Sequence, residues 1–515
     1  MELLYNERRI IFCIGFAILL VSIFFHAFKK SKSAVIFLLL ASFFLFLYAA
    51  VSIPFLMPWD ERLHALVSKN LMKHFLMPTL YDEELLDLPY AWIRAHIWVH
   101  KQPLFLWQDM LSFKIFGVNE LALRLPGLLL YCAIVFASYR SGKLLGNHNI
   151  GYCTAFLIAT SFFLYQLLSG YASLDQNDLV FMEYISLSIW TMTEYIYSGK
   201  KYWIVLTGIF SGFALLTKWI TGLLVYLIWL LYTFFQHKWN FKKYVPLLFS
   251  FSITAIIAIP WQLFIFKNYP TEARVEYQHA LMHFTTVLDG HEGPFTFYLS
   301  LIGQHFGSLV PYIILFAFAI FYFKSTDKKL SLSMIISIVA VYLFFSFAKT
   351  KMQSFTIIVA LPVYLSVAFF INVLFDWVSD KLLSPPNLKI GAIALLFFIL
   401  AVSRFDFTVV KADDGFFLNG DACFYALQHN KKIFQDLKLP DNAVLCNIPG
   451  YYYIDAMFYT GLPAYNFIPS ESQYDELKEK KKRIALFMPA DSIIPEYLKN
   501  DKQLILLHDT LKECE

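Results

Sequence analysis

The sequence predicts a polytopic α-helical membrane protein that ends in a small soluble α/β domain. Three observations predict it. Apolar runs long enough to cross a bilayer recur from the N-terminus to about residue 403. The chain is 58% hydrophobic and only 16% charged, with 54 Phe and 31 Tyr, more apolar surface than a soluble fold can hide. Beyond about residue 405 the composition changes, and short strand-like runs alternate with helical patterns.

A hydrocarbon core of roughly 30 Å takes about 20 apolar residues per helix. Candidate spans are 9–28, 34–56, 121–142, 150–168, 178–197, 202–216, 222–236, 245–266, 300–323, 330–347, 354–377 and 388–404, twelve in all. The first has no small-residue cleavage site and a second run follows at once, so it reads as a retained helix. Basic residues then orient the chain. Lys29, Lys30 and Lys32, Lys143, Lys200 and Lys201, Lys238, Lys242 and Lys243, Lys324, Lys328 and Lys329, and Lys381 fall in alternate loops. These loops are predicted cytoplasmic, with both termini outside. Arg8, Arg9, Lys349 and Lys351 run against that majority. The net charge of +4 arises from such short clusters and predicts no nucleic-acid surface.

Three loops then share the outer face. The first, 57–120, is long and rich in Trp, His and acids, with helical patterning over 61–76 and 90–116. The second is the turn at 173–178. The third, 267–299, carries His and acidic residues. Polar chemistry gathered on one face of a membrane protein marks a candidate site. The sequence divides into a membrane module over 1–404 and an extracytoplasmic domain over 405–515. The latter shows strands near 443–448, 483–488 and 504–508, and helices near 424–438, 452–459, 473–482 and 493–500. This alternation predicts a parallel sheet. No Gly-rich phosphate loop is present, so the expected role is to support or gate the membrane site. Six cysteines show no metal spacing. Cys423 and Cys446 either pair in an oxidising compartment or sit unpaired in the core.

Four groups carry candidate chemistry. Asp60-Glu61 follows the second span; the acids either complement a helix N-terminus or act on an acceptor hydroxyl as a general base, with Glu61 orienting. Lys101, after Trp98-Val99-His100, either snorkels or binds a lipid phosphate as a point charge. Asp175 and Asp178 flank the fifth span, where one caps the helix and the other is free to face a cavity. His279, His283, Asp289, His291 and Glu292 cluster in the third loop and offer donors to a divalent metal, without a standard zinc spacing.

Taken in order, these motifs resemble the GT-C superfamily of polyprenyl-phosphate-dependent glycosyltransferases. The branch that looks most similar holds the aminoarabinose transferases of lipid A and the protein O-mannosyltransferases. The resemblance covers about residues 55–365. It rests on Asp60-Glu61, Lys101-Gln102-Pro103-Leu104, Phe116-Gly117 with Leu123-Arg124-Leu125-Pro126, and Tyr171-Ala172-Ser173-Leu174-Asp175. It continues through Leu216-Thr217-Lys218, His291-Glu292-Gly293-Pro294-Phe295 with Tyr298, and Ala348-Lys349-Thr350-Lys351. The resemblance implies a GT-C fold with about twelve transmembrane helices and an inverting transfer of a sugar from a polyprenyl-phosphate donor. The acceptor is a lipid, a glycan or a protein, and the reaction faces the outside of a bacterial inner membrane.

By position, Asp60 matches the catalytic acid of the first loop and Asp175 a second acid in the cavity. Lys101 matches a lysine on the carrier phosphate. Lys218 and Lys351 match further basic positions near the donor, and Glu61 and Asp178 join the expected substrate-binding set. His279 aligns with a zinc-binding histidine of the aminoarabinose branch, and His100 stands where that branch has a glutamate ligand. A divalent metal, Zn or Mg/Mn, is the one cofactor implied. The sequence departs from the pattern at Gln102, Trp219 and Met352-Gln353. A transporter or flippase for a glycolipid is the rival reading; it predicts ionisable residues within the spans, whereas the charges here gather in the outer loops.

Overall fold

Each of the twelve apolar runs falls on helical structure in the computed structural model. It describes all residues except 1, 89–90, 172–174, 219, 383–384, 418–419, 489–492 and 515. Among the described residues, eight helices are long and apolar enough to cross a membrane, and up to ten if each of two bent pairs is one span. Gln176–Ser198, which carries Asp178, Glu183 and Glu194, and the 14-residue Tyr202–Leu215 fall outside that count.

The spans pack closely where small residues meet. Arg8–Ala27 and Ser31–Val51 form an antiparallel hairpin, and a Cβ on Gly15 would stand 3.0 Å from the Leu45 backbone. Glu120–Leu145 crosses His148–Ala159 at Gly142 and Gly151, where a Cβ on Gly142 would lie 2.8 Å from the Gly151 Cα. Such contacts suit a bilayer, where packing rather than apolar burial holds helices together.

Two bent pairs interrupt the bundle. His148–Ala159 and Phe162–Ser169 meet at 42°, and Phe297–Phe306 and Val310–Lys324 at 85°. A helix break in a membrane leaves backbone carbonyls that need donors. Arg404 supplies them from the end of the last span. Its guanidinium donates to the carbonyls of Leu157 (2.8 Å), Thr160 (3.2 Å) and Phe306 (3.0 Å).

In the first long loop, helix forms over Asp60–Leu71 and Pro103–Phe116. The helix expected over 90–116 thus starts 13 residues later than 90. Pro103 disfavours helical backbone at the residue before it, and Gln102 is extended at ψ 154°. The third loop holds one helix, Pro270–Thr285.

The C-terminal segment has the expected α/β pattern. Strands β1 (Ala443–Cys446), β2 (Arg483–Phe487) and β3 (Ile505–Leu507) form a parallel sheet in that order. Helices Ala422–Asp436, Tyr452–Thr460, Glu471–Glu479 and Glu496–Lys499 connect and cover it. The Tyr452–Thr460 helix docks on Asp60–Leu71. The Lys69 ammonium donates to the Phe458 carbonyl at 2.6 Å, and the Arg62 guanidinium stands 3.1 Å from Asp455.

Of the two alternatives for Cys423 and Cys446, pairing with each other is overturned, and the unpaired reading holds for Cys446 alone. Cys423 is joined to Cys514, and Cys446 is free. Cys446 lies fully buried on β1, away from the surface that Cys423 occupies. The C-terminal tail returns across Ala422–Asp436, held by two hydrogen bonds between Asn430 and the Lys512 backbone, and this brings Cys514 to Cys423.

Candidate active site

Asp60 opens its helix with Trp59 as the N-cap, so the carboxylate stands at the positive end of the helix. Lys101 approaches from the extended segment before Pro103. Its ammonium lies 2.7 Å from Asp60 Oδ2 and 3.3 Å from Asp175 Oδ2. Asp175 is the N-cap of Gln176–Ser198, and its other oxygen accepts from the Asn177 N–H at 2.9 Å. Three elements far apart in sequence therefore meet around one ammonium. Burial pushes the Asp60 carboxyl up, but the Lys101 charge, with His64 and the hydrogen bond to Lys101, outweighs it and holds Asp60 well below the usual range. Burial lowers Lys101, and the charges of Asp60 and Asp175 reverse this and raise it above its ordinary value.

These groups line a cavity of about 630 Å³. Lys218, His100, His279, His283, Asp289 and His291 line it too. Its wall includes Ile259 and Phe266 on Val245–Asn268, whose side chains are also exposed on the outer apolar surface of that span. Lys218 also borders a narrow apolar slot with Phe181, Phe344, Phe345 and Phe355. There it pairs with Asp178, which accepts as well from the Ser354 hydroxyl. Of the two acids at this helix start, one caps and the other faces inward.

Two expected substrate groups lie elsewhere. Glu61 is one residue past Asp60 and about 100° around the helix. Both its oxygens are taken: Arg124 binds it through Nε (2.8 Å) and Nη2 (3.1 Å), and Gln176 Nε2 (2.6 Å) and the Met57 N–H (2.7 Å) complete the set. Arg124 also donates to the carbonyls of Ala50, Ile53 and Phe55. Glu61 is thus the anchor of a buried joint and does not line the cavity. Lys351 is buried and donates to the carbonyls of Phe345, Ser346 and Ala348, closing the end of Lys328–Phe347. Ser173 and Trp219 lie outside the described residues.

Sequence reasoning missed three residues. Glu276 is one. Its carboxylate accepts from His100 Nδ1 at 2.7 Å in the tautomer that protonates that nitrogen, and its oxygen lies within 4.8 Å of ligand atoms of His100 and His279. The legible signal was Glu276-x-x-His279, which puts both on one helix face. Two imidazoles and a carboxylate suit zinc with a coordination position left open. Burial, with the nearby His100, lowers His279, so the ring is available as a neutral ligand. His64 is the second, one turn after Asp60 on the same helix. It groups with Asp60 and Asp175, but the Lys101 ammonium already lies between those two carboxylates. Asp109 is the third, fully buried, with no hydrogen-bond partner among the described residues. Burial, with Glu61 and Asp175 near, raises it well above the usual range, which favours the neutral form.

Comparison with known proteins adds a partial family match and a likeness of fold. Residues 100–264 match the family described as dolichyl-phosphate-mannose-protein mannosyltransferase. An uncharacterized protein of Aquifex aeolicus (strain VF5) is 28% identical over 351 residues, 66% of this chain. The match spans 62% of that relative, less than two thirds of its length. Among solved structures, ArnT from Cupriavidus metallidurans in the apo state superposes with a TM-score of 0.59 at 16% identity, covering 84% of both chains. The same protein bound to undecaprenyl phosphate gives 0.60 at 16% identity, covering 86% of this chain and 87% of that one. The archaeal oligosaccharyltransferase AglB from Archaeoglobus fulgidus, in complex with an inhibitory peptide and a dolichol-phosphate, gives 0.53 at 12% identity, covering 87% and 68%. At these identities the likeness is one of fold. The chain thus shares its fold with ArnT and AglB, and its match to the mannosyltransferase family is confined to residues 100–264.

Proposed function

We propose that the chain is an inverting glycosyltransferase that moves a sugar from a polyprenyl-phosphate donor to a lipid, glycan or protein acceptor on the outer face of a bacterial inner membrane. The observation that carries this is the Lys101 ammonium held between Asp60 and Asp175 in a cavity whose wall continues onto a lipid-facing helix. A polyprenyl tail stays in the bilayer, so the bond that reacts must reach the interface. The leaving group is a phosphate and needs positive charge rather than a proton. Lys101, with Lys218 beside it, supplies that charge. The acceptor needs a carboxylate, and Asp60 supplies it.

The acceptor oxygen attacks the anomeric carbon from the face opposite the phosphate. The new C–O bond forms as the bond to the phosphate oxygen breaks. The electron pair leaves with the phosphate against Lys101, and the hydroxyl proton passes to Asp60 and on to solvent. One displacement inverts the anomeric centre. A zinc held by His100, Glu276 and His279 would add a Lewis-acidic charge at the cavity wall. The Cys423–Cys514 disulfide supports an oxidising, extracytoplasmic setting for the C-terminal domain. The test is mass spectrometry of envelope lipids and glycans from cells with and without the gene and with Asp60→Asn. A sugar-sized mass difference that depends on Asp60 is expected. An unchanged profile in the null strain, or full activity of the variant, overturns the reading.

A further inference from the structure

His64 is a polar group with nothing to do in the structure as it stands. Its side chain is 1% exposed. Among the described residues neither ring nitrogen has a hydrogen-bond partner. The ring is clamped edge-on by Phe105 at 5.1 Å and by Trp98 at 6.2 Å between centroids, so packing fixes where it points. It points at Asp175. Nδ1 lies 3.6 Å from Asp175 Oδ1, just beyond hydrogen-bond reach. A buried polar group left unpaired in one state calls for an explanation in another.

Asp175 Oδ1 already accepts from the Asn177 N–H, and the donor to the other oxygen is Lys101, which has a second task. If its ammonium turns to a donor phosphate, Asp60 and Asp175 lose the charge between them. Two buried carboxylates then face each other with only the Asn177 N–H left on Asp175, an arrangement that like charges oppose. Burial holds the His64 ring down at about 4, against the pull of Asp175, so it is neutral near pH 7 and carries one N–H.

We propose that His64 is a positioning residue that takes over Asp175 when Lys101 engages the carrier phosphate. A shift of about half an ångström closes the contact to a hydrogen bond. Asp175 then keeps its place as the cap of Gln176–Ser198, and Lys101 leaves it without stranding a bare charge. The inference rests on Lys101 as the phosphate lysine of the proposed reaction.

The test uses the purified full chain in detergent, with undecaprenyl phosphate as the probe. Thermal midpoints are read without and with the lipid, and affinity is read by titration. His64→Phe and His64→Leu remove the N–H; His64→Gln restores a donor. Because His64 makes no hydrogen bond among the described residues, the apolar variants are expected to match or exceed the wild-type midpoint without lipid. Their affinity is expected to fall about tenfold, and His64→Gln to recover most of it. Wild-type affinity in both apolar variants overturns the proposal. A loss of midpoint that is equal without and with lipid, at unchanged affinity, marks a merely structural residue and also overturns it. If wild-type protein does not bind the lipid at all, the donor reading falls and this inference with it.

Discussion

Asp60 and Glu61 are neighbours with opposite tasks. A helix turns the two side chains about 100° apart. Asp60 meets the Lys101 ammonium at the cavity wall; Glu61 meets Arg124, which also serves three backbone carbonyls. Glu61→Gln leaves Arg124 buried and underpaired, which costs about 3–5 kcal/mol. Its thermal midpoint is expected to collapse. Asp60→Asn is expected to cost transfer activity by about 10²- to 10⁴-fold, and to fold. Unfolding curves and transfer assays on both variants separate the two roles. The pH dependence follows from sign. The Asp60 pKa is depressed in the folded chain, so its stabilising contribution is present above the unfolded value of about 3.9 and is lost as pH falls below it. The midpoint difference between wild type and Asp60→Asn is expected to hold steady from about pH 8 to 5 and to shrink below about 4.

At the scale of elements, short helices carry the chemistry and long ones hold it. The 16-residue helix Pro270–Thr285 brings Glu276 and His279 to His100, which lies on an extended segment of the first loop. Zinc added to the purified chain is expected to bind at about one equivalent, and Glu276→Gln or His279→Ala to abolish it, by elemental analysis after dialysis. Protons compete with metal for imidazole. The lowered pKa of His279 is expected to let zinc persist as pH falls somewhat below the ordinary histidine value of about 6.5. Arg404 illustrates the long helices. Three carbonyls at two helix breaks depend on it, so Arg404→Met is expected to lower the midpoint by several degrees while leaving the cavity residues in place.

At the scale of the whole molecule, the C-terminal domain braces the site. Lys69, Arg62, Tyr459 and Lys431 tie it to the Asp60 helix and to Glu120 at the start of the third span. The disulfide ties the tail to the domain across a sequence separation of 91. A cross-link over a loop of that size stabilises by about 4–5 kcal/mol in the chain-entropy account. Cys514→Ser is therefore expected to lower the thermal midpoint, and reductant to do the same to wild type but not to the variant. A membrane-impermeant reductant acting on intact spheroplasts would also place the domain outside.

How far the sequence reached differs by kind of residue. Asp60, Lys101, Asp175 and Lys218 were legible because an ordered motif series carried them, and all four line one cavity. Glu61 and Lys351 belong to the same motifs, yet their charges are spent on Arg124 and on helix-end carbonyls. No motif tells whether a charge faces a cavity or a backbone. Glu276 and His64 stood at helical spacings from recognised residues, but such spacings are common.

The sequence by itself determined the apolar helices, the α/β tail and the residues of the long polar loops. Apolar run length and strand–helix alternation are local properties, set by bilayer thickness and backbone period. Only the tertiary structure decided which acid faces the cavity and which one braces, which histidines share a carboxylate, and which cysteine Cys423 meets. Those choices turn on contacts between segments up to hundreds of residues apart, and on which buried polar group finds a partner.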